Sequence, residues 1–198
     1  MNSPLPAVDC AETSAAIADL PCPTEASGHI DSATDIDYLA FRQTLGSFAT
    51  GVTVVTALAP DGQWIGLTVS SFNTVSLDPP LILWSLSTSS PNLDAFRTAT
   101  RYAVNVLAAD QQELSDRFSV RSADRFAGVP VREGLGGVPL IAGCCAAFEC
   151  VNEQRYPGGD HLIFVGRVER FAQGEAKSPL IFHGGRYRHL AGGHEALG

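Results

Sequence analysis

The sequence predicts a mainly β chain, a small antiparallel barrel with a few short helices, and three observations carry that prediction. About seven segments are strand-like, rich in β-branched or alternating residues. The helical segments are few and short. No regular alternation of strand and helix marks a parallel α/β sheet. At 198 residues, 45% of them apolar, the chain suits one domain with a sizeable core.

Each element follows from local chemistry. Residues 1–33 are rich in Ala, Pro, Ser and acids with no sustained period, and are expected to form a disordered acidic extension ahead of a domain over 34–198. Thr34 with Asp37 resembles a capping box. Tyr38, Phe41, Leu45 and Phe48 then repeat at helical spacing, with Gly51 as the stop. Val52 to Ala59 is β-branched and ends at the turn signal Asp61-Gly62, so Gln63 to Ser70 returns as the second arm of a hairpin. Leu81 to Ser87 follows Pro79-Pro80 as a buried strand. Ser90-Pro91 reads as N-cap and first position of a helix to about Thr98. Arg101 to Leu107 is a strand, and Asp110 caps a helix to about Phe118. Past a Gly/Pro-rich passage come strands over Cys144–Glu153 and Leu162–Phe171, with a last short one over Tyr187–Leu190.

The net charge of -8 is concentrated at one end. Residues 1–41 hold seven acids (Asp9, Glu12, Asp19, Glu25, Asp31, Asp35, Asp37) and no Lys or Arg, which leaves the rest near neutrality at -1. No basic surface suggests nucleic acid. The start has neither a basic, apolar signal sequence nor an Arg-rich presequence, and no apolar run approaches membrane-spanning length, so a cytoplasmic protein without membrane attachment is expected. Five cysteines (Cys10, Cys22, Cys144, Cys145, Cys150) do not form a disulfide pattern, and the last three read as small buried thiols.

Four segments are candidates for chemistry. Gly158-Gly159-Asp160-His161 hands a carboxylate and an imidazole to the mouth of an apolar strand, Leu162 to Val168. Read alone, His161 is better explained as a satisfied loop residue than as a functional one. Gly66-Leu67-Thr68-Val69-Ser70-Ser71-Phe72-Asn73-Thr74 offers hydroxyls and backbone amides to a polar ring or phosphate, or else is a turn bonded to itself. Ser85-Leu86-Ser87-Thr88-Ser89-Ser90-Pro91-Asn92 carries more hydroxyls than capping needs, which points to a phosphate or pyrophosphate. Arg117, Arg121 and Arg125 flank Phe118 and Ser119 at helical spacing, either as a phosphate clamp or as a solvated face. A Rossmann fingerprint, P-loop, HExxH, zinc-spaced Cys/His set and GxSxG are all absent, so no metal is expected and the chemistry must come from a bound cofactor if there is any.

From about Tyr38 to Leu190 the chain resembles the short-chain flavin reductases, the reductase components of two-component flavin-diffusible monooxygenases. The landmarks that carry the resemblance come in family order. They are Phe48-Ala49-Thr50-Gly51-Val52-Thr53-Val54-Val55-Thr56; Gly66-Leu67-Thr68 with Ser71-Phe72; Val75-Ser76-Leu77-Asp78-Pro79-Pro80; Tyr102-Ala103-Val104-Asn105-Val106-Leu107; and Gly159-Asp160-His161. Val69-Ser70 departs from the Ala-Asn of many relatives. The resemblance implies a six-stranded antiparallel split β-barrel, a homodimer, and FAD or FMN bound near the subunit interface. It implies that Gly66–Thr74 and Ser85–Ser89 hold the flavin, that Phe118 and Ser119 sit on its tail, and that Thr50 and Phe72 shape the pocket. His161 would lie by the nicotinamide of NADH (NADPH being the alternative), with Asp160 fixing the loop or the imidazole tautomer. The implied activity is NAD(P)H:flavin oxidoreduction that supplies diffusible reduced flavin to a partner monooxygenase. Hydride transfer belongs to the cofactors, which accounts for the missing acid–base dyad. A non-catalytic flavin-binding protein and a flavoenzyme with tightly held FMN acting on its own substrate remain the alternatives.

Overall fold

The computed structural model describes residues 36–121, 124–175 and 177–190. The acidic extension 1–33 and Thr34 of the expected capping box lie outside the described residues. The chain divides into two units after Arg42. Helix α1 (Tyr38–Leu45) is capped by Asp37, whose Oδ1 accepts the Leu39 N–H at 2.8 Å. The helix ends well before Gly51, which instead belongs to a two-residue strand, β1 (Thr50–Gly51). The expected apolar face of α1 is exposed: Tyr38, Phe41, Leu45 and the following Phe48 all keep much of their surface.

The second unit is built on one antiparallel sheet. Its strands are β2 (Thr53–Leu58), β3 (Trp64–Val69), β4 (Asn73–Leu77), β5 (Pro80–Ser87), β6 (Arg101–Val106), β9 (Ala146–Gly158) and β10 (His161–Gln173), in the order β3-β2-β6-β9-β10-β5-β4. The two edge strands are consecutive in sequence and joined only by Ser70, Ser71 and Phe72. A flat seven-stranded sheet is ~30 Å wide, whereas that connection reaches at most ~14 Å. The sheet therefore rolls until its edges approach, although no ladder joins β3 to β4 among the described residues. Mainly β architecture with few helices is as expected. The sheet has seven strands; the one not expected from sequence is β4, whose Asn-Thr-Val-Ser run reads as a turn.

Short helices α2 (Leu93–Thr98) and α3 (Gln112–Ser119) fill the connections around β6. The N-cap position of α2 is Asn92, two residues after the expected Ser90. Small outlying strands complete the unit: β7 (Val131–Glu133) with β8 (Pro139–Ile141), and β11 (Ile181–His183) with β12 (Arg186–Arg188), β11 also pairing with β1.

Inside the roll, Trp84 is fully buried. It stacks on Phe164 with centroids 4.5 Å apart and meets Phe96 and Tyr102 edge-on. Gly166 gives Tyr102 its place, since a Cβ there would lie 2.0 Å from the phenol oxygen. The β9–β10 register shifts at that point, bending both long strands around the core. Buried Asn105 ties three elements together. Its Nδ2 donates to Val54 O (3.0 Å) and Thr56 Oγ1 (3.2 Å), and its Oδ1 accepts from Ile141 N (2.9 Å).

Candidate functional site

Strand pairing assembles the site from three segments far apart in sequence. β10 pairs with β5 so that His161 stands opposite Ser87. The β9–β10 connection is Gly159-Asp160, and Gly159 has φ +64°, a left-handed conformation that favours glycine. The Asp160 carbonyl accepts from both the Thr88 N–H (2.9 Å) and Thr88 Oγ1 (3.0 Å), which fastens this turn to the Ser85–Ser89 segment. At the other end of that segment, Ser71 Oγ donates to Ser85 O (3.1 Å) and accepts from Ser85 N (3.0 Å). The β3–β4 connection, the end of β5 and the Asp160-His161 turn thus form one hydrogen-bonded chain.

His161 Nδ1 lies 2.7 Å from Asp160 Oδ1, with the imidazole side chain partly exposed. The hydrogen bond and charge of His161 hold the Asp160 carboxyl below its usual range. The ionised carboxylate takes a proton on Nδ1 and leaves Nε2 as the free ring nitrogen.

A cleft of about 190 Å³ opens along β3 and α3. Thr68, Val69 and Ser70 form one side, Ser115 and Ser119 of α3 another, and Val52, Phe182 and Tyr187 the rest. Thr68 Oγ1 donates to Ser115 O at 2.7 Å, which locks helix to strand. Tyr187 OH donates to Asp116 Oδ1 (3.0 Å) and shares a 2.8 Å hydrogen bond with Ser115 Oγ. Burial pushes the Tyr187 phenol up, so it stays protonated at neutral pH. Apolar walls with hydroxyls at the edge suit a planar ring with polar rim atoms, which is the fit a flavin requires.

The sequence-predicted residues divide by position. Thr68, Val69, Ser70 and Ser119 line the cleft. Thr50 lies in β1 opposite Phe182, and its buried Oγ1 has no hydrogen-bond partner among the described residues. Ser85, Ser87, Thr88 and Ser89 lie along the β5 end and the turn after it, where Ser87 and Ser89 hydroxyls bond each other at 2.9 Å. Asp160 and His161 are not among the residues lining the cleft; Ser87, opposite His161, is ~7 Å along β5 from Ser85. Four further predicted residues pack against the core. Phe118 is 1% exposed and packs under Gly66, where an added Cβ would meet its ring at 2.8 Å. Leu86 is buried, and Phe72 stacks on Phe148, with Leu67 packed against the same core. Sequence reasoning missed Ser115, Phe182 and Tyr187. Phe182 and Tyr187 come from a C-terminal hairpin turned at Gly184-Gly185, both at positive φ, of which the sequence predicts only the second arm.

Residues 45–191 match the family model described as the flavin reductase like domain, and the chain belongs to that family. It is 49% identical over 148 residues to the FMN reductase (NADH) SmoA of Agrobacterium fabrum, covering 75% of this chain and 83% of that one. The reductase subunit HsaB of a flavin-dependent monooxygenase from Rhodococcus jostii is 38% identical over 156 residues, with 79% and 80% covered. Among solved structures, the NADH:FAD oxidoreductase SgcE6 of Streptomyces globisporus C-1027, in complex with NAD and FAD fragments, superposes with a TM-score of 0.77 at 36% identity, over 83% of this chain and 98% of that one.

Proposed function

We propose that this chain is an NADH-dependent flavin reductase that passes hydride to FMN or FAD and releases reduced flavin to a separate flavin-dependent monooxygenase. The observation that carries the reading is the hydroxyl-edged cleft of β3 and α3, tied through Ser71, Ser85 and Thr88 to the Asp160-His161 turn. When bound together, nicotinamide supplies hydride and flavin accepts it. The protein's own work is to hold, orient and exclude water. Thr68, Ser70, Ser119 and Tyr187 would hold the polar atoms of a flavin in the cleft, with Val69 and Phe182 supplying its apolar wall. Thr50, the cross-strand partner of Phe182, supports that wall from β1. Asp160 keeps the His161 ring in one tautomer, and Nε2 orients the nicotinamide amide. Position accounts for the rate, so no acid–base pair is needed.

The exposed apolar side chains of Leu45, Phe48, Val75 and Leu77 support a homodimer. The free thiols of Cys144, Cys145 and Cys150 suit a reducing, cytoplasmic compartment.

The test is NADH oxidation in air, without flavin, with FMN and with FAD. Oxidation that requires added flavin and saturates in it supports the reading. A protein that binds flavin tightly through gel filtration and oxidises no NADH overturns it.

A further inference from the structure

We propose that the cleft of β3 and α3 reads the oxidation state of the flavin it holds. Asp116 and Ser115 fix Tyr187 as a hydrogen-bond acceptor toward the cleft, and that acceptor adds affinity for reduced flavin which it does not add for oxidised flavin. The inference rests on the flavin reductase reading above.

The direction of each hydrogen bond follows from what its partner can do. A hydroxyl has one proton to donate and two lone pairs with which to accept, whereas carbonyls and carboxylates only accept. Thr68 Oγ1 directs its proton to Ser115 O (2.7 Å), and Ser119 Oγ directs its own to Asp116 O (2.7 Å). Tyr187 OH lies 3.0 Å from Asp116 Oδ1, so the phenol proton points to that carboxylate. The 2.8 Å contact between Tyr187 OH and Ser115 Oγ then needs the serine as donor. Ser115 is 0% exposed, and its proton has no solvent alternative. Thr68, Ser115, Ser119 and Tyr187 all line the cleft, and each has only lone pairs left to offer it. Ser70, exposed at the end of β3, is the remaining hydroxyl. Phe182, the cross-strand partner of Tyr187, meets the phenol ring edge-on at 5.6 Å and holds it in place. Asp116 does not line the cleft; it is a positioning residue that acts through Tyr187.

Reduction changes the donors on a flavin rim. The oxidised ring carries one N–H, at N3, and presents a bare N5. Hydride taken from NADH, a hydrogen with its electron pair, ends as an N5–H bond, and the nicotinamide leaves oxidised. An edge of acceptors repels the lone pair of a bare N5 and bonds the N–H that replaces it. Tyr187 accepting from that N–H draws the hydride-transfer equilibrium on the protein toward product.

The test uses the full chain and FMN without oxygen. Flavin fluorescence gives the dissociation constant of oxidised FMN. The midpoint potential of FMN with saturating protein then closes the cycle that yields the constant for reduced FMN. Tyr187→Phe is expected to weaken reduced FMN about fivefold, the loss of one neutral hydrogen bond, and to leave oxidised FMN unchanged. The midpoint falls accordingly by ~20 mV, at ~30 mV per tenfold for a two-electron couple. Asp116→Ala, which frees the phenol proton, is expected to lower the midpoint in the same way. Asp116→Asn, whose amide oxygen still accepts from Tyr187, is expected to keep it. An unchanged midpoint in Tyr187→Phe with both states weakened equally overturns the inference, because Tyr187 then meets a group the two states share. An equal fall in Asp116→Asn and Asp116→Ala also overturns it, because the charge of Asp116 would be acting in place of its hydrogen bond. Should Tyr187→Phe fail to fold by circular dichroism, the two Asp116 variants decide, since Asp116 is exposed on α3. All these results leave the flavin reductase reading intact. Wild-type protein that binds FMN in neither state removes that reading and the inference with it.

Discussion

A single imidazole becomes meaningful here through what holds it. His161 follows a tight Gly159-Asp160 turn, and its Nδ1 sits 2.7 Å from the carboxylate of Asp160. Both groups are solvent-facing, so the pair contributes little to stability. Its worth is orientation. His161→Ala is therefore expected to raise the KM for NADH about tenfold while leaving kcat and the flavin dissociation constants near wild type, the pattern of lost ground-state binding. Steady-state kinetics against NADH, with flavin titrated separately by fluorescence, checks the split. Gly66 makes the complementary case for a residue with no side chain. A Cβ there would lie 2.8 Å and 3.0 Å from the Phe118 ring and 3.2 Å from Phe126. Both rings are packed, so Gly66→Ala should cost about 1–3 kcal/mol by overpacking, read as a lower urea midpoint with an unchanged slope.

At the scale of elements, the long strands β9 and β10 are pinned by a buried carboxylate. Glu149 is 4% exposed and accepts from Arg170 through both oxygens, 2.5 Å and 2.7 Å, and from Leu135 N at 2.6 Å. Burial pushes the carboxyl up, but the Arg170 hydrogen bonds and the Leu135 amide outweigh it and hold it below the usual range. A carboxyl with a depressed folded value stabilises the fold above its unfolded value, and that contribution is lost as pH falls through the folded one. Glu149→Gln is expected to flatten the acid limb of the stability curve below about pH 4.3, measured as melting temperature against pH. Asn105 is the neutral counterpart: Asn105→Ala strands the Ile141 N–H in the core and should cost about 2–3 kcal/mol. These elements also mark what the sequence makes legible. Strands β2, β3, β5, β6, β9 and β10 announce themselves by apolar, β-branched runs. β4 does not, because Asn73, Thr74 and Ser76 suit a turn equally well and only the pairing with β5 makes them a strand. Thr68, Ser70 and His161 are visible because their residue types are chemical, whereas Tyr187 joins the cleft through a bond to Asp116 that crosses seventy-one positions of chain. No local pattern encodes such a contact.

At the scale of the whole molecule, the helical period of α1 is read correctly from sequence, but the burial it implies is absent from the isolated chain. Tyr38, Leu45 and Phe48 are 77%, 58% and 73% exposed, and Leu77 at the end of the edge strand β4 is 96% exposed. An amphipathic period is selected by something the apolar face packs against, and isolated large apolar residues at such exposure are normal on a surface only when scattered. Leu45 ends α1 and Phe48 follows in the turn after it, so the two are near neighbours in sequence. A second copy of the chain is the occupant the homodimer reading supplies, since a two-fold interface needs one self-complementary patch. The expected mass in solution, by light scattering, is twice the 20.9 kDa of the chain. Replacing Leu45 and Phe48 together by Ser should shift the protein toward monomer at micromolar concentration without lowering the melting temperature extrapolated to the monomer. Wild-type protein that scatters as a monomer at every concentration would show that α1 carries its apolar face for another reason, and the flavin cleft would then have to work from one chain alone.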